Sequence, residues 1–146
     1  MTIVELPHRT VVVARIAIAE WPNTPPWGAG PFALLQVVDN LDGLEAFAKR
    51  VVGSGLCLSA CWGSFCREAE DCVDHEIVMQ GADRDGVVLT TSHSKESLED
   101  ALDYFLVVGL GIETATEPVW VINVSSEAQL ARVVRHLEAL ASELGN

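Results

Sequence analysis

Residues 56–66, LCLSACWGSFC, decide the fold of this chain because they read as a buried strand that runs into a helix. The first six are small or apolar on both faces, which is typical of a strand covered on both sides in a parallel sheet. Trp62 and Gly63 break this pattern, and Ser64 is a favourable N-cap for a helix. Ligands of open α/β sheets bind beyond the carboxyl ends of strands, beside helix N-termini. This turn therefore predicts the position of a functional site.

The segments on either side alternate between strand-like and helix-like patterns. Further strands are predicted at residues 10–19, 32–38, 87–91 and 118–124. Apolar stripes at helical spacing predict helices that follow residues 42, 64, 97 and 126. Residues 76–81, EIVMQG, form an apolar segment that is compatible with one short additional strand before a turn at Asp85 and Gly86. Repeated alternation of this kind predicts one α/β domain over residues 1–146: a three-layer sandwich with a mainly parallel sheet of about five strands and four helices.

Composition predicts a packed globular protein. The chain has 146 residues, of which 49% are hydrophobic, and its mean hydropathy is +0.28. No run of 18 uncharged apolar residues is present, and the N-terminal MTIVELPHRT lacks the basic start and long apolar stretch of a signal peptide. We therefore expect a cytoplasmic protein. Its four cysteines lie between Cys57 and Cys72 without a paired C-x2-C spacing, which favours reduced thiols over disulfides or a structural metal site.

The charge is strongly negative, at −12 with a pI near 4.5. This argues against nucleic acid or an anionic membrane as a direct partner, because both require basic patches. The acids concentrate between Glu68 and Asp103, and this pattern predicts either a solvated face or a docking surface for a basic protein. The carboxylates expected to contact such a partner are Glu68, Asp71, Glu96, Glu99, Asp100 and Asp103.

Residues 21–31, WPNTPPWGAGP, predict an irregular loop of a length that is often functional. Two interpretations of its tryptophans remain open. Trp21 and Trp27 either pin the loop to the body of the protein or stand exposed as anchors for a partner, since Trp is enriched at binding hot spots. In the second interpretation Trp27, together with Trp62 of the central turn, supplies most of the affinity.

Two motifs carry a resemblance to a known group of proteins. WG-x2-C-R precedes an acidic helix, and LTTSH is followed by ESLEDALDYFL. This arrangement, over roughly residues 32–110, resembles an uncharacterised family of small bacterial α/β proteins with a C-x-WG-x2-C turn and a TT-W-H turn before an acidic helix. The resemblance implies a fold but no activity. Two positions depart from the pattern: Ser92 stands in place of Trp, and Cys61 lies directly beside Trp62.

Three side chains with catalytic potential follow predicted strands. Cys61, His93 and Asp39 are therefore expected at the carboxyl edge of one sheet, where thiol, imidazole and carboxylate can act as nucleophile, base and orienting acid in acyl transfer. No G-x-G-x-x-G or G-x4-G-K-[ST] motif is present, and the histidines lack metal-ligand spacing. We expect neither a cofactor nor a metal ion.

Two functions follow as hypotheses. The first is a protein-binding module, specifically an immunity protein that neutralises a basic bacterial toxin through clustered carboxylates; this inference rests on charge and size rather than on a motif. The alternative is a small cysteine-nucleophile hydrolase or acyltransferase that uses Cys61, His93 and Asp39.

Overall fold

The structure, a computed structural model, describes residues 1–7, 9–82, 88–108 and 117–144. These residues form six strands, four α-helices and one 3₁₀ turn at Ile18–Glu20. In chain order the strands and helices are β1 (Thr2–Leu6), β2 (Arg9–Ala14), β3 (Phe32–Val37), α1 (Leu44–Val52), β4 (Leu56–Trp62), α2 (Cys66–Gln80), β5 (Leu89–His93), α3 (Leu98–Val108), β6 (Val119–Asn123) and α4 (Glu127–Leu144).

All six strands belong to one sheet, in the order β1-β2-β6-β3-β4-β5. Every neighbouring pair is parallel except β1 and β2, which pair antiparallel with Val4 opposite Val11. The predicted α/β class, the mainly parallel sheet and the four helices are confirmed. The sheet has six strands rather than about five, because residues 2–6 add an edge strand that the sequence analysis did not assign.

Helices cover both faces of the sheet, as a three-layer sandwich requires. Helices α1 and α2 pack on one face through a buried core that includes Phe47, Val51 and Val73. Helices α3 and α4 pack on the other through Leu102, Phe105 and Leu137. Strand β3 lies between these layers and is buried at every residue, as expected for a central parallel strand.

Strand β4 confirms the interpretation of LCLSACW as a buried strand, since Leu56 and residues 58–61 are buried. The helix after it begins later than predicted: α2 starts at Cys66 with Phe65 at the N-cap position, and Ser64 makes no capping hydrogen bond. Residues 76–80 are the last turn of α2 rather than an additional strand. Ile77 contributes to the core there, and Gly81 ends the helix in the left-handed conformation.

Two strand boundaries also differ from the prediction. Strand β2 ends at Ala14 rather than at residue 19, because the Asn123 side chain takes up both backbone hydrogen-bonding groups of Ile16. Strand β5 runs to His93, so this residue belongs to the strand instead of following it. The predicted turn at Asp85 and Gly86 lies outside the described residues. Within the described part of the chain, no helix is both long enough and apolar enough to cross a membrane.

Candidate functional site

The carboxyl ends of the parallel strands lie along one edge of the sheet, and α1, α2 and α4 begin there. We call this the carboxyl edge. Strands β3 and β6 are neighbours, but β3 leads into α1 on one face whereas β6 leads into α4 on the other. Such a reversal is the topological switch point at which open α/β sheets form their ligand crevice.

A cleft of about 430 Å³ lies at this switch point. Its lining includes three carboxylates, Glu20, Asp39 and Asp42, and one guanidinium, that of Arg15. The Arg15 Nη1 donates to Glu127 Oε1 at 2.8 Å, so its charge is already paired. The remaining lining residues are Ile16, Ala17, Ile18, Ala19, Gln36, Asn40, Val124 and Ser125. We call this space the switch-point cleft.

Two buried side-chain amides hold the base of the switch-point cleft in place. They belong to Gln36, the second-last residue of β3, and to Asn123, the last residue of the neighbouring strand β6. Asn123 Nδ2 donates to Gln36 Oε1 and to the Ile16 carbonyl, both at 2.9 Å, and Asn123 Oδ1 accepts the Ile16 backbone N–H at 2.8 Å. Gln36 Nε2 donates to the Val37 carbonyl at 2.7 Å. Both side chains are almost fully buried. Because burying an amide is costly without such partners, this network holds the cleft in a fixed shape.

A second concave surface lies between α1 and α2. Two adjoining pockets of about 350 and 580 Å³ share Glu45, Lys49 and Cys72. We call them together the α1–α2 groove. Its rim carries the exposed carboxylates of Glu45, Glu68 and Asp71, while Leu41 and Ala46 supply exposed apolar surface. The Glu76 carboxylate also lines the groove but is largely buried. Among the described residues that line it, Lys49 is the one lysine or arginine.

Nearby negative charge affects the pKa of two ionisable groups on α2. Burial raises the pKa of the Cys72 thiol, and the carboxylates of Glu45, Asp71 and Glu76 raise it further. Burial likewise raises the pKa of the Glu70 carboxyl, with added contributions from Asp74 and Asp71. The carboxylate contributions to these two shifts disfavour one more negative charge, so a cation is the complementary species for this helix surface.

Trp62 lies in a third depression on the carboxyl edge, of about 240 Å³, which also includes Asp39 and Glu96. Its Nε1 donates to the Glu96 carbonyl at 2.8 Å, and the Arg132 guanidinium lies 5.9 Å from the ring centroid. Trp62 is thus half-buried and held in place rather than free. The accessible part of the side chain lines this depression.

The structure does not bring Cys61, His93 and Asp39 together. Trp62 pairs with His93 and Cys61 with Ser92, so Cys61 and His93 project from opposite faces of the sheet. Cys61 packs in the core beneath α1 and α2, where burial raises the pKa of its thiol to about 12. Asp39 accepts instead from Gln129 Nε2 at 3.3 Å. A protonated, buried thiol without a facing imidazole lacks the geometry of an activated nucleophile.

His93 is a buried side chain with its own partners. Its Nδ1 lies 2.9 Å from Glu96 Oε1 and its Nε2 lies 3.0 Å from Thr91 Oγ1. The Tyr104 ring packs over the imidazole with centroids 4.7 Å apart. These contacts fix the end of β5 against the start of α3. Within the described residues, no group of three or more His, Cys, Asp or Glu side chains could hold a metal ion.

The six predicted contact carboxylates fall into two groups on opposite faces of the sheet. Glu68 and Asp71 project from α2 and are exposed. The other four lie on or just before α3, and three of them have internal partners: Glu96 with His93, Glu99 with Arg132, and Asp103 with His136. Asp100 is exposed, and its backbone N–H is capped by Ser97 Oγ. The single acidic face expected from the sequence is therefore divided, and the α2 group has the more available carboxylates.

Trp27 packs against the body of the protein. Its ring centroid lies 5.8 Å from that of Trp21 and 5.3 Å from that of Phe32, and Trp21 in turn contacts Phe47 of α1. Among the described residues, neither indole N–H finds a hydrogen-bond acceptor. The contacts favour the interpretation in which these tryptophans pin the 21–31 loop.

Comparison with known proteins places the chain in a group without an assigned role. The model of a domain of unknown function, DUF7684, matches residues 15–140. The chain belongs to the DUF7684 family. Membership in DUF7684 agrees with the expectation of an uncharacterised family. No curated protein and no solved structure matches the chain.

The sequence analysis missed the residues that build the switch-point cleft in this DUF7684 chain. Gln36 and Asn123 interrupt the apolar runs FALLQVV and VWVINV near their carboxyl ends. An amide in such a run requires a partner once it is buried. The two amides could therefore be recognised in the sequence as residues that need partners. The pairing of β3 with β6, which brings them together, could not be predicted from it.

Proposed function

We propose that this protein is a binding module that holds a basic protein partner in the α1–α2 groove. The observation that carries the proposal is the composition of this groove, where three exposed carboxylates lie beside exposed apolar surface. Glu68 and Asp71 are exposed at its rim, and the exposed Leu41 side chain lies at one end. Carboxylates at a rim steer a cationic partner, and apolar contacts inside the rim contribute most of the affinity.

The biological role we propose is that of an immunity protein, which binds and neutralises a basic bacterial toxin in the cytoplasm. The support for this role is the chain's small size, its charge of −12 and the acidic groove. The alternative role, a hydrolase built on Cys61, His93 and Asp39, has no supporting contact, since thiol and imidazole occupy opposite faces of the sheet.

The groove is tested by charge reversal with a matched control. In one variant Glu68→Lys and Asp71→Lys change the groove rim; in the other Glu138→Lys and Glu143→Lys make the same change in net charge on α4, which packs on the opposite face of the sheet. The binding partner is the purified product of the reading frame beside this one, and its affinity is measured by calorimetry at two salt concentrations.

We expect the α2 variant to bind at least tenfold more weakly and to lose much of its salt dependence, because two rim ion pairs become repulsive. The α4 variant should retain most of the affinity. Equal weakening in both variants would show that net charge acts without a defined site, and unchanged binding in both would remove the groove as the contact surface.

The immunity role needs its own experiment. Expression of the neighbouring reading frame alone should arrest growth, and co-expression of this protein should restore it, whereas the α2 variant should restore it poorly. A neighbouring product that binds in the groove but is harmless would retain the binding module and reject the immunity role.

A further inference from the structure

We propose that the switch-point cleft is a separate binding site for a small organic cation that carries an ammonium or guanidinium group. The site is distinct from the α1–α2 groove and does not depend on the function proposed for that groove. Its volume of about 430 Å³ lies within the range of small-molecule pockets. Its place between β3 and β6, at the reversal of the sheet connections, is where α/β folds bind ligands.

The base of the cleft contains two buried amides that the packing of the sheet does not require. Gln36 and Asn123 occupy paired positions in adjacent strands that are otherwise apolar, and valine or leucine there would satisfy the packing of a central sheet. The amides instead bond each other and fix the backbone of Ile16 at the cleft wall. A fixed wall lowers the cost of ordering a ligand site when a ligand binds.

Charge determines the class of ligand. Glu20, Asp39 and Asp42 contribute three negative charges, and the one guanidinium of the lining, on Arg15, is neutralised by Glu127. Phosphates and carboxylates would be repelled from such a cleft, whereas an amine or guanidinium would be attracted. Ala17, Ile18 and Ala19 offer apolar surface to the carbon chain that joins such groups.

The number of carboxylates in the cleft suits a ligand with more than one cationic group. The three acids come from two separate segments, the 3₁₀ turn that contains Glu20 and the loop after β3 that contains Asp39 and Asp42. A diamine or an amino-guanidine can place one cationic group near each segment. A metal ion is disfavoured, because no set of three metal-binding side chains converges within the described residues.

The test uses agmatine, which has one amine and one guanidinium, as the probe and glutarate, a dianion of similar length, as its control. Each is titrated into the ¹⁵N-labelled full chain at low salt, and backbone amide shifts are followed. We expect saturable shifts with agmatine at Ala17, Ala19, Asn40 and Ser125, and none with glutarate.

Two variants of the cleft and one control variant on α4 distinguish a defined site from general attraction of a cation to an acidic protein. Asp39→Asn with Asp42→Asn should weaken agmatine binding at least threefold, and Glu20→Gln should weaken it as well, while Glu138→Gln on α4 should leave it unchanged. The amide spectrum also reports whether each variant folds. Shifts spread over all acidic surfaces, equal effects of Glu138→Gln, or saturable binding of glutarate would each overturn the proposal.

Discussion

The turn after β4 depends on a glycine at position 63, and replacement of Gly63 by alanine measures how closely the ends of β3 and β4 approach. Gly63 has φ of +120°, a conformation that L side chains rarely adopt. A methyl group there would lie 2.5 Å from the Val38 carbonyl oxygen and 3.1 Å from its carbon. Both atoms belong to the backbone, so the clash cannot be relieved by a side-chain rotation.

The expected cost has two parts. The unfavourable φ costs about 1–3 kcal/mol for a residue with a side chain. Moving Val38 also weakens two hydrogen bonds, from the Val38 N–H to the Trp62 carbonyl and from the Phe65 N–H to the Val38 carbonyl, each worth about 1 kcal/mol. Gly63→Ala should therefore destabilise the protein by about 3–5 kcal/mol in total.

Gly28 supplies a matched control. Its φ is +103°, but a methyl group there meets nothing within 4 Å. Gly28→Ala should cost about 1–3 kcal/mol from backbone strain alone, and the effect of alanine on the unfolded chain is the same at both sites. Urea unfolding followed by far-UV circular dichroism gives both free energies. If Gly63→Ala loses no more stability than Gly28→Ala, the close approach of Val38 does not constrain this turn.

Two further predictions concern ionisable groups. Burial raises the pKa of the Cys61 thiol to about 12, so at pH 8 this thiol should react with iodoacetamide far more slowly than free cysteine. It should reach the rate of free cysteine only in denaturant. The labelling is measured by mass spectrometry of the peptides, and fast labelling of the native protein would contradict this prediction. The hydrogen bond from Arg132 lowers the pKa of Glu99, so this pair stabilises the fold above the ordinary pKa of 4.5 and its contribution is lost as pH falls through the lowered value. Glu99→Gln should therefore destabilise the protein at pH 7 but much less at pH 3, in contrast to Glu138→Gln, as measured by urea unfolding.

The helices were predictable because their signals are local. The stripe of Leu44, Phe47, Ala48, Val51 and Val52 is apolar at helical spacing, and all five side chains are buried in α1. Only one helix face can turn to the sheet, so the pattern determines both the element and its buried side. The same reasoning failed at EIVMQ, where the apolar run is too short to distinguish a strand from the last turn of a helix.

The faces of the strands were not predictable to the same degree. Whether Cys61 and His93 share a face depends on the register between β4 and β5, where Trp62 rather than Cys61 pairs with His93. A shift of one residue in that register would reverse the answer. No local pattern determines it, because β4 carries small or apolar side chains on both faces.

The division of the acidic surface has a similar cause. Glu99 and Asp103 are one helical turn apart on α3, and their partners Arg132 and His136 are one turn apart on α4. Two ion pairs therefore connect the helices side by side. From the sequence, these acids could be compared only with neighbours three or four residues away, which are acidic or apolar apart from Lys95. The partners lie 33 residues further along the chain and become visible only once α3 and α4 pack together.

Among the described residues, the negative charge is therefore most available in the switch-point cleft and in the α1–α2 groove, where the lining carboxylates have no ion-pair partner. On α3 the basic side chains of α4 offset the acids, so a cation that approaches that face must compete with Arg132 and His136. At the groove rim, Glu68 and Asp71 have no ion-pair partner among the described residues. A cationic partner therefore gains more at the groove than at α3, because it does not first have to break an existing pair.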